Sequence, residues 1–303
     1  MADIFIKNAL VMTCEPDVIR GEIIENGAVA VSGNTIEAIG RTSDLEEKYR
    51  DSSRVIDAEG KIVFPGFIIT HTHMPYVMGH NQPVDFSQLR SFWDMLQKMG
   101  WEWLEDLITR EGIYAATRYA AAKMLKSGTT TVCDLVEAPN DLEGALEASA
   151  RAIEEIGIRA NLGYEVTERV PGVSILERLD PAMAERGFEE NIRLIEKYGG
   201  RDSLITPRLG VHTAYTNSPE TLKKARALAD KYGCGVQMHI AEIPRAFLVE
   251  KYGKSAPMVL EETGLLGRDM VAAHCIDITD EDLAVLARNG VNAAHTPMTN
   301  SLG

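Results

Sequence analysis

The sequence predicts an α/β protein, a (β/α)8 TIM-type barrel lacking its eighth strand, preceded by the N-terminal part of a small β-sandwich. Three observations lead there. From about residue 61 onward, strand-like and helix-like runs alternate, the pattern of a parallel sheet with crossover helices. The first 60 residues instead read as short strands separated by turn pairs. Six of the seven histidines fall at the C-terminal ends of the expected later strands, the face on which a barrel builds its site.

In chain order, strands are expected at 4–6, 28–31 and 35–39, with Asn26-Gly27 and Gly33-Asn34 as turn pairs between them. This stretch has no histidine, and residues 55–61 lead out of it, so residues 1–60 form one expected unit and 61–303 the other. Barrel strands are expected at 62–69, 130–135, 159–165, 205–211, 235–240, 270–273 and 291–294. Helices fill the gaps. One runs over 104–126 and stops at Ser127-Gly128; 142–156 stops at Gly157, and 188–198 at Gly199-Gly200. Ser218-Pro219 starts the helix over 220–232, and Thr279-Asp280-Glu281-Asp282 resembles a capping box before 283–288. A closed barrel needs eight strands, and the sequence stops in a loop at residues 300–303 after the seventh, which reads as a truncated copy.

Composition narrows the class. With 303 residues, 45% of them hydrophobic, the chain can bury a large core. A net charge of −14 argues against nucleic acid or an anionic membrane as partner. Four scattered cysteines without a Cys-x-x-Cys pair, and no signal or membrane segment in view, point to reduced thiols in a cytoplasmic protein.

The chemistry gathers at the strand ends. His71 and His73 stand two residues apart after an apolar run; on extended backbone they face one way, as a pair of metal ligands would. His212, His239, His274 and His295 end later strands, while His80 lies in the loop after the first. Glu242 follows His239 by three residues, where the chain turns. It suits either a proton-transfer carboxylate beside an activated water or an acid at a helix N-terminus.

These motifs carry a resemblance. Pro65-Gly66-Phe67 leading to His71-Thr72-His73, then Gly210-Val211-His212-Thr213-Ala214-Tyr215, His239-Ile240-Ala241-Glu242, Ala272-Ala273-His274-Cys275 and Ala294-His295-Thr296-Pro297, are similar to the amidohydrolase superfamily, in its deaminase and chlorohydrolase branch. The resemblance implies that His71, His73 and His239 bind one divalent ion, Zn²⁺ or Fe²⁺. It implies that Glu242 shuttles a proton to a ring nitrogen, that His274 hydrogen-bonds the attacking water, and that His212 contacts substrate. No lysine ends the third or fourth strand, so a single-metal site is expected. The family's strand-eight Asp would lie beyond residue 303.

The implied reaction is hydrolytic deamination of an amino-substituted nitrogen heterocycle, with dechlorination or ring-amide hydrolysis on the same scaffold, or an inactive fragment, as alternatives. The implied partner is a small molecule, and the resemblance is compatible with a homodimer. All three tryptophans, Trp93 among them, fall in the long segment after the first barrel strand; they suit either stacking on a flat heterocycle or packing of a lid. By resemblance, Glu102 would hold ribose hydroxyls, with Glu105 competing for that role. About Tyr164 stands where relatives carry a substrate-binding Arg, and Arg186 is one residue out of register for a second.

Overall fold

A computed structural model describes residues 2–14, 22–83, 87 and 89–301, apart from the Phe92 side chain; residues 302 and 303, on which the expectation about the chain's last loop partly rests, lie outside them. The described chain forms two compact units, Met1–Phe67 and Ile68–Gly303.

The first unit is one five-stranded sheet. Its central strand β1 (Ile4–Met12) pairs antiparallel with β2 (Ile23–Ser32), which pairs with β3 (Thr35–Arg41). On its other side β1 takes β4 (Arg54–Asp57) and β5 (Ile62–Val63) in parallel. Ser32 pairs with Thr35, so Gly33-Asn34 is the two-residue hairpin turn that the sequence suggested. Asn26-Gly27 is not a turn. It lies inside β2, where Asn26 takes φ 50° at an irregular stretch of the pairing with β1. Helix α1 (Thr42–Tyr49) shares a small core with this sheet, made of Phe5, Ala28, Ala30 and Tyr49.

The expected first barrel strand divides. Ile62–Val63 joins the small sheet, and after Pro65-Gly66 a new strand, β6 (Phe67–Thr72), begins. A proline cannot donate to a ladder, and here it marks the break. A 3-10 turn (Met74–Gly79) follows, then a short α2 (Phe92–Asp94) and a π-helical segment, Met95–Glu105. The expected helix over 104–126 therefore begins later, as α3 (Arg110–Lys126), where the Thr109 side chain accepts from Gly112 N and caps it.

Strands and helices then alternate as anticipated: β7 (Thr129–Val136), α4 (Ala145–Ile156), β8 (Arg159–Tyr164), α5 (Pro181–Tyr198), β9 (Ile205–Pro207), β10 (Leu209–Val211), α6 (Pro219–Tyr232) and β11 (Val236–Ile240). Next come α7 (Arg245–Tyr252), α8 (Ala256–Glu262), β12 (Met270–His274), α9 (Asp280–Arg288), β13 (Asn292–Ala294) and α10 (Pro297–Asn300). The strands lie in two four-stranded sheets, β6-β7-β8-β9 and β10-β11-β12-β13. Pairing is parallel from β7 to β9 and from β10 to β13. The expected fourth strand is interrupted at Arg208, and a parallel bridge from Val166 to Val211 carries the sheet across. Gly210 allows this approach, since a Cβ there would run into the Tyr164 carbonyl and Leu135.

Apolar residues of alternating strands and helices fill the core. Val132, Val136 and Leu162 join Ile113, Leu146 and Ile153 in one cluster. Val211, Val236, Met238 and Met270 join Leu222, Leu260 and Val285 in the other. No helix among the described residues is long and apolar enough to cross a membrane.

Candidate metal centre

Strand ends supply the site one residue at a time. His71 lies in β6 and His73 one residue beyond it; Glu137 follows β7, Glu165 follows β8 and His212 follows β10. His239 lies within β11, His274 ends β12 and His295 follows β13. All of these except Glu137 line one cavity of about 750 Å³, with Glu105 and Glu242.

Backbone geometry aims these groups. Ala241 takes φ 53° directly after β11, turning the chain before Glu242. His274 and Cys275 take φ 73° and 51° at the end of β12. Left-handed backbone is costly for residues with a Cβ and collects at functional sites, where the surroundings enforce it. Here the Cys275 amide donates to the Ile240 carbonyl at 2.9 Å and fixes the turn. Asn300 Oδ1 and Thr296 Oγ1 lie 3.1 and 2.9 Å from His274 Nδ1.

The imidazoles converge. The rings of His71 and His73 have centroids 4.9 Å apart, as expected for i and i+2 on one strand. His73 Nε2 lies 2.9 Å from His239 Nε2. Ligating atoms of His71, His239 and His274 all lie within 4.8 Å of one another, and buried His71 Nε2 has no hydrogen-bond partner among the described residues. Burial holds His71 well below the usual imidazole range, His73 at about 4, and His212 and His274 at about 3. Neutral imidazole is the form that binds a metal ion. At His239 burial also opposes charge, but the Glu165 carboxylate outweighs it and the ring is pushed up to about 9. That carboxylate faces Nδ1, at 3.3 Å, and not the nitrogen turned toward His73. Several buried, converging imidazoles, one with an orphaned nitrogen, fit a divalent cation.

Carboxylates complete the site. Glu242 Oε1 stands 3.4 Å from His274 Nε2, and burial raises its pKa. Glu165 Oε1 lies 3.2 Å from His212 Nε2. The Glu137 carboxyl touches His73 Nδ1. Glu105 accepts from the Tyr76 hydroxyl at 2.5 Å and from Arg169 Nη2 at 3.0 Å; burial, partly offset by Arg169, pushes it up to about 8. Arg169 also reaches Asp106 Oδ1 at 2.7 Å and stacks over the Trp101 ring.

Several of the expected site residues stand away from the cavity. Glu102 does not line the cavity; it is exposed and accepts from Gln97 at 3.3 Å. In the π-helical segment, Met95, Leu96, Met99, Gly100 and Glu105 recur on the cavity side, and Glu102 falls between these positions on the outer face. Trp93 also stands off the cavity, stacked on Phe247 and edge-on to Trp101 and Tyr215. Arg186 pairs with Glu143 at 2.9 Å, and the buried Tyr164 hydroxyl accepts from Ala138 N at 3.3 Å; neither lines the cavity. Glu137, Glu165 and Arg169 escaped sequence reasoning. The first two were findable, because the strand-end rule applied to histidines holds equally for carboxylates.

Fold and site together define an α/β protein with a histidine–carboxylate centre of the kind that holds a divalent metal ion. The chain belongs to the amidohydrolase family, whose model matches residues 62–303. It is 32% identical over 308 residues to a 5'-deoxyadenosine deaminase of Methanosarcina barkeri, covering 99% of this chain and 63% of the relative. It is 33% identical over 282 residues to a 5-methylthioadenosine/S-adenosylhomocysteine deaminase of Desulfitobacterium hafniense, covering 90% of this chain and 59% of the relative. The chain thus spans roughly three fifths of the length of these relatives. Among solved structures, an adenosine deaminase from Xanthomonas campestris with bound zinc superposes with a TM-score of 0.84 at 24% identity, over 100% of this chain and 65% of that one, which speaks to the fold.

Proposed function

We propose that this chain carries the metal-binding and proton-transfer groups of a hydrolase that deaminates an adenosine-type heterocycle. The observation that carries the reading is the pairing of Glu242 with His274, 3.4 Å apart, beside converging imidazoles on one cavity. Its relatives' names point to adenine nucleosides as the first substrates to test.

His71, His73 and His239 would hold one divalent ion, Zn²⁺ or Fe²⁺; His71 and His239 gather with His274, and His73 Nε2 lies 2.9 Å from His239 Nε2. Such an ion supplies Lewis acidity that brings the pKa of water toward neutrality. The protein's own part is proton transfer and alignment. Glu242 takes a proton from the attacking water and delivers it to the ring nitrogen next to the amino-bearing carbon. Burial raises its pKa, so the carboxyl can hold the proton between the two transfers. His274, fixed by Asn300 and Thr296, hydrogen-bonds the oxygen as it adds to the ring carbon. Collapse passes the adduct's hydroxyl proton to the amino group and breaks the C–N bond, releasing ammonia and leaving the ring carbonyl. His212 contacts the substrate from the end of β10. Glu105, rather than Glu102, is positioned to accept from sugar hydroxyls.

The test is ammonia release from 5'-deoxyadenosine, methylthioadenosine, S-adenosylhomocysteine, adenosine and guanine, with a chloro-triazine as the dechlorination control. Release from an adenine nucleoside with the expected inosine-type product supports the proposal. Chloride release without ammonia would transfer the reading to hydrolytic dechlorination. No turnover of any of these compounds by the zinc-loaded protein would overturn it.

A further inference from the structure

Glu137 and Glu165 have no part in the reaction just described, yet both are buried against the imidazoles that carry it, each about 4% exposed. A buried carboxylate costs several kcal/mol unless positive charge or hydrogen bonds offset it. Among the described residues, the Glu137 oxygens and Glu165 Oε1 have no well-directed hydrogen bond beyond the contact the two carboxyls make with each other. What each does have is an imidazole nitrogen at close range.

Those nitrogens are the outer ones. His73 turns Nδ1 to the Glu137 carboxyl and to the Leu135 carbonyl at 3.2 Å. His239 turns Nδ1 to Glu165 Oε1 at 3.3 Å and to the His212 carbonyl at 3.2 Å. Their opposite nitrogens, both Nε2, meet 2.9 Å apart. An imidazole whose Nδ1 faces only acceptors keeps its proton there and leaves the Nε2 lone pair free for a metal ion. Metal-ligating histidines characteristically donate their second N–H to such a partner, and the partner sets ring orientation and basicity. The plainer reading is that the two backbone carbonyls suffice and the acids only fill space.

We propose that Glu137 and Glu165 are positioning residues that hold His73 and His239 as Nδ1–H tautomers and thereby set the affinity of the site for a divalent ion. This rests on the metal reading above.

The test is zinc affinity, measured by competition with a chromophoric chelator on the metal-stripped protein. Glu137→Met and Glu165→Met, which remove the acceptor at similar volume, should each weaken Zn²⁺ binding about 10–100-fold. Glu137→Gln and Glu165→Gln keep an acceptor oxygen and should recover part of that loss, which a space-filling role does not predict. Met variants that fold and bind zinc as tightly as the parent would overturn the proposal while leaving the metal reading intact. A parent protein that binds no zinc would overturn both. A measurement without any substitution covers variants that fail to fold. In the zinc-loaded, ¹⁵N-histidine-labelled protein, two-bond ¹H–¹⁵N correlations should show His73 and His239 protonated at Nδ1, and protonation at Nε2 would refute the assignment.

Discussion

Glu242 and His274 face one another across the end of the second sheet, Oε1 to Nε2 at 3.4 Å, each delivered by a left-handed kink just past its strand or at its end. On the proposed reading the pair joins a proton carrier to a hydrogen-bonding imidazole. Glu242→Gln should lower kcat for ammonia release by about 10²–10⁴-fold, the usual size of a general acid–base contribution. Zinc content, read by elemental analysis, should stay at the parental level. Loss of the metal in that variant would make Glu242 a ligand.

Removal of the metal should act on stability as well as on turnover. Dialysis against a strong chelator should abolish ammonia release, and Zn²⁺ should restore it. An ion that binds only the folded chain adds about 2.7 kcal/mol at a free concentration one hundred times its Kd. The melting temperature should therefore climb with added Zn²⁺, and a melt unmoved by zinc would argue against the site.

Arg169 is nearly fully buried between Glu105 and Asp106. Arg169→Met removes the guanidinium that Glu105 and Asp106 both contact, a loss of about 3–5 kcal/mol. Urea unfolding should show the midpoint fall accordingly. A Glu105→Gln variant, which keeps the shape and an acceptor oxygen, should lose less stability and raise KM for a nucleoside more than for its free base.

Asp282 is fully buried at the start of α9, where it completes a capping box with Thr279. Burial opposes its charge, but hydrogen bonds from Ser255 and Thr279 outweigh that and hold the carboxyl below its ordinary value. A depressed carboxylate contributes stability above the unfolded-state pKa, about 4, and loses it as pH falls through the folded-state value. Asp282→Asn should therefore cost about 1–3 kcal/mol at neutral pH. The gap between the two unfolding curves should narrow below about pH 4; a gap that widens on acidification would contradict the sign.

Much of this site could be read before any coordinates, for a physical reason. Strands that alternate with helices point their last residues to one face, so His71, His73, His212, His239, His274 and His295 announce a common destination. The π-helical turn over Met95–Glu105 has no sequence signature. Without it the sequence cannot tell which of Glu102 and Glu105 faces the cavity. Helices α7 and α8 went unread because neither has a side-chain N-cap hydrogen bond and each begins beside a proline, Pro244 or Pro257. The division of the first barrel strand at Pro65-Gly66 is marked in the sequence by the proline, although the apolar run continues on both sides of it.

His73 and His239 are 166 residues apart in the chain and meet nitrogen to nitrogen. An ion grasped by both would act as a removable cross-link, closing a loop far longer than most natural disulfides span. Closing a loop of that length in the unfolded ensemble is worth about 5 kcal/mol on the chain-entropy scale. The metal would then serve as a reversible staple, and a chain clipped between residues 73 and 239 should stay assembled longer with the ion in place than without it.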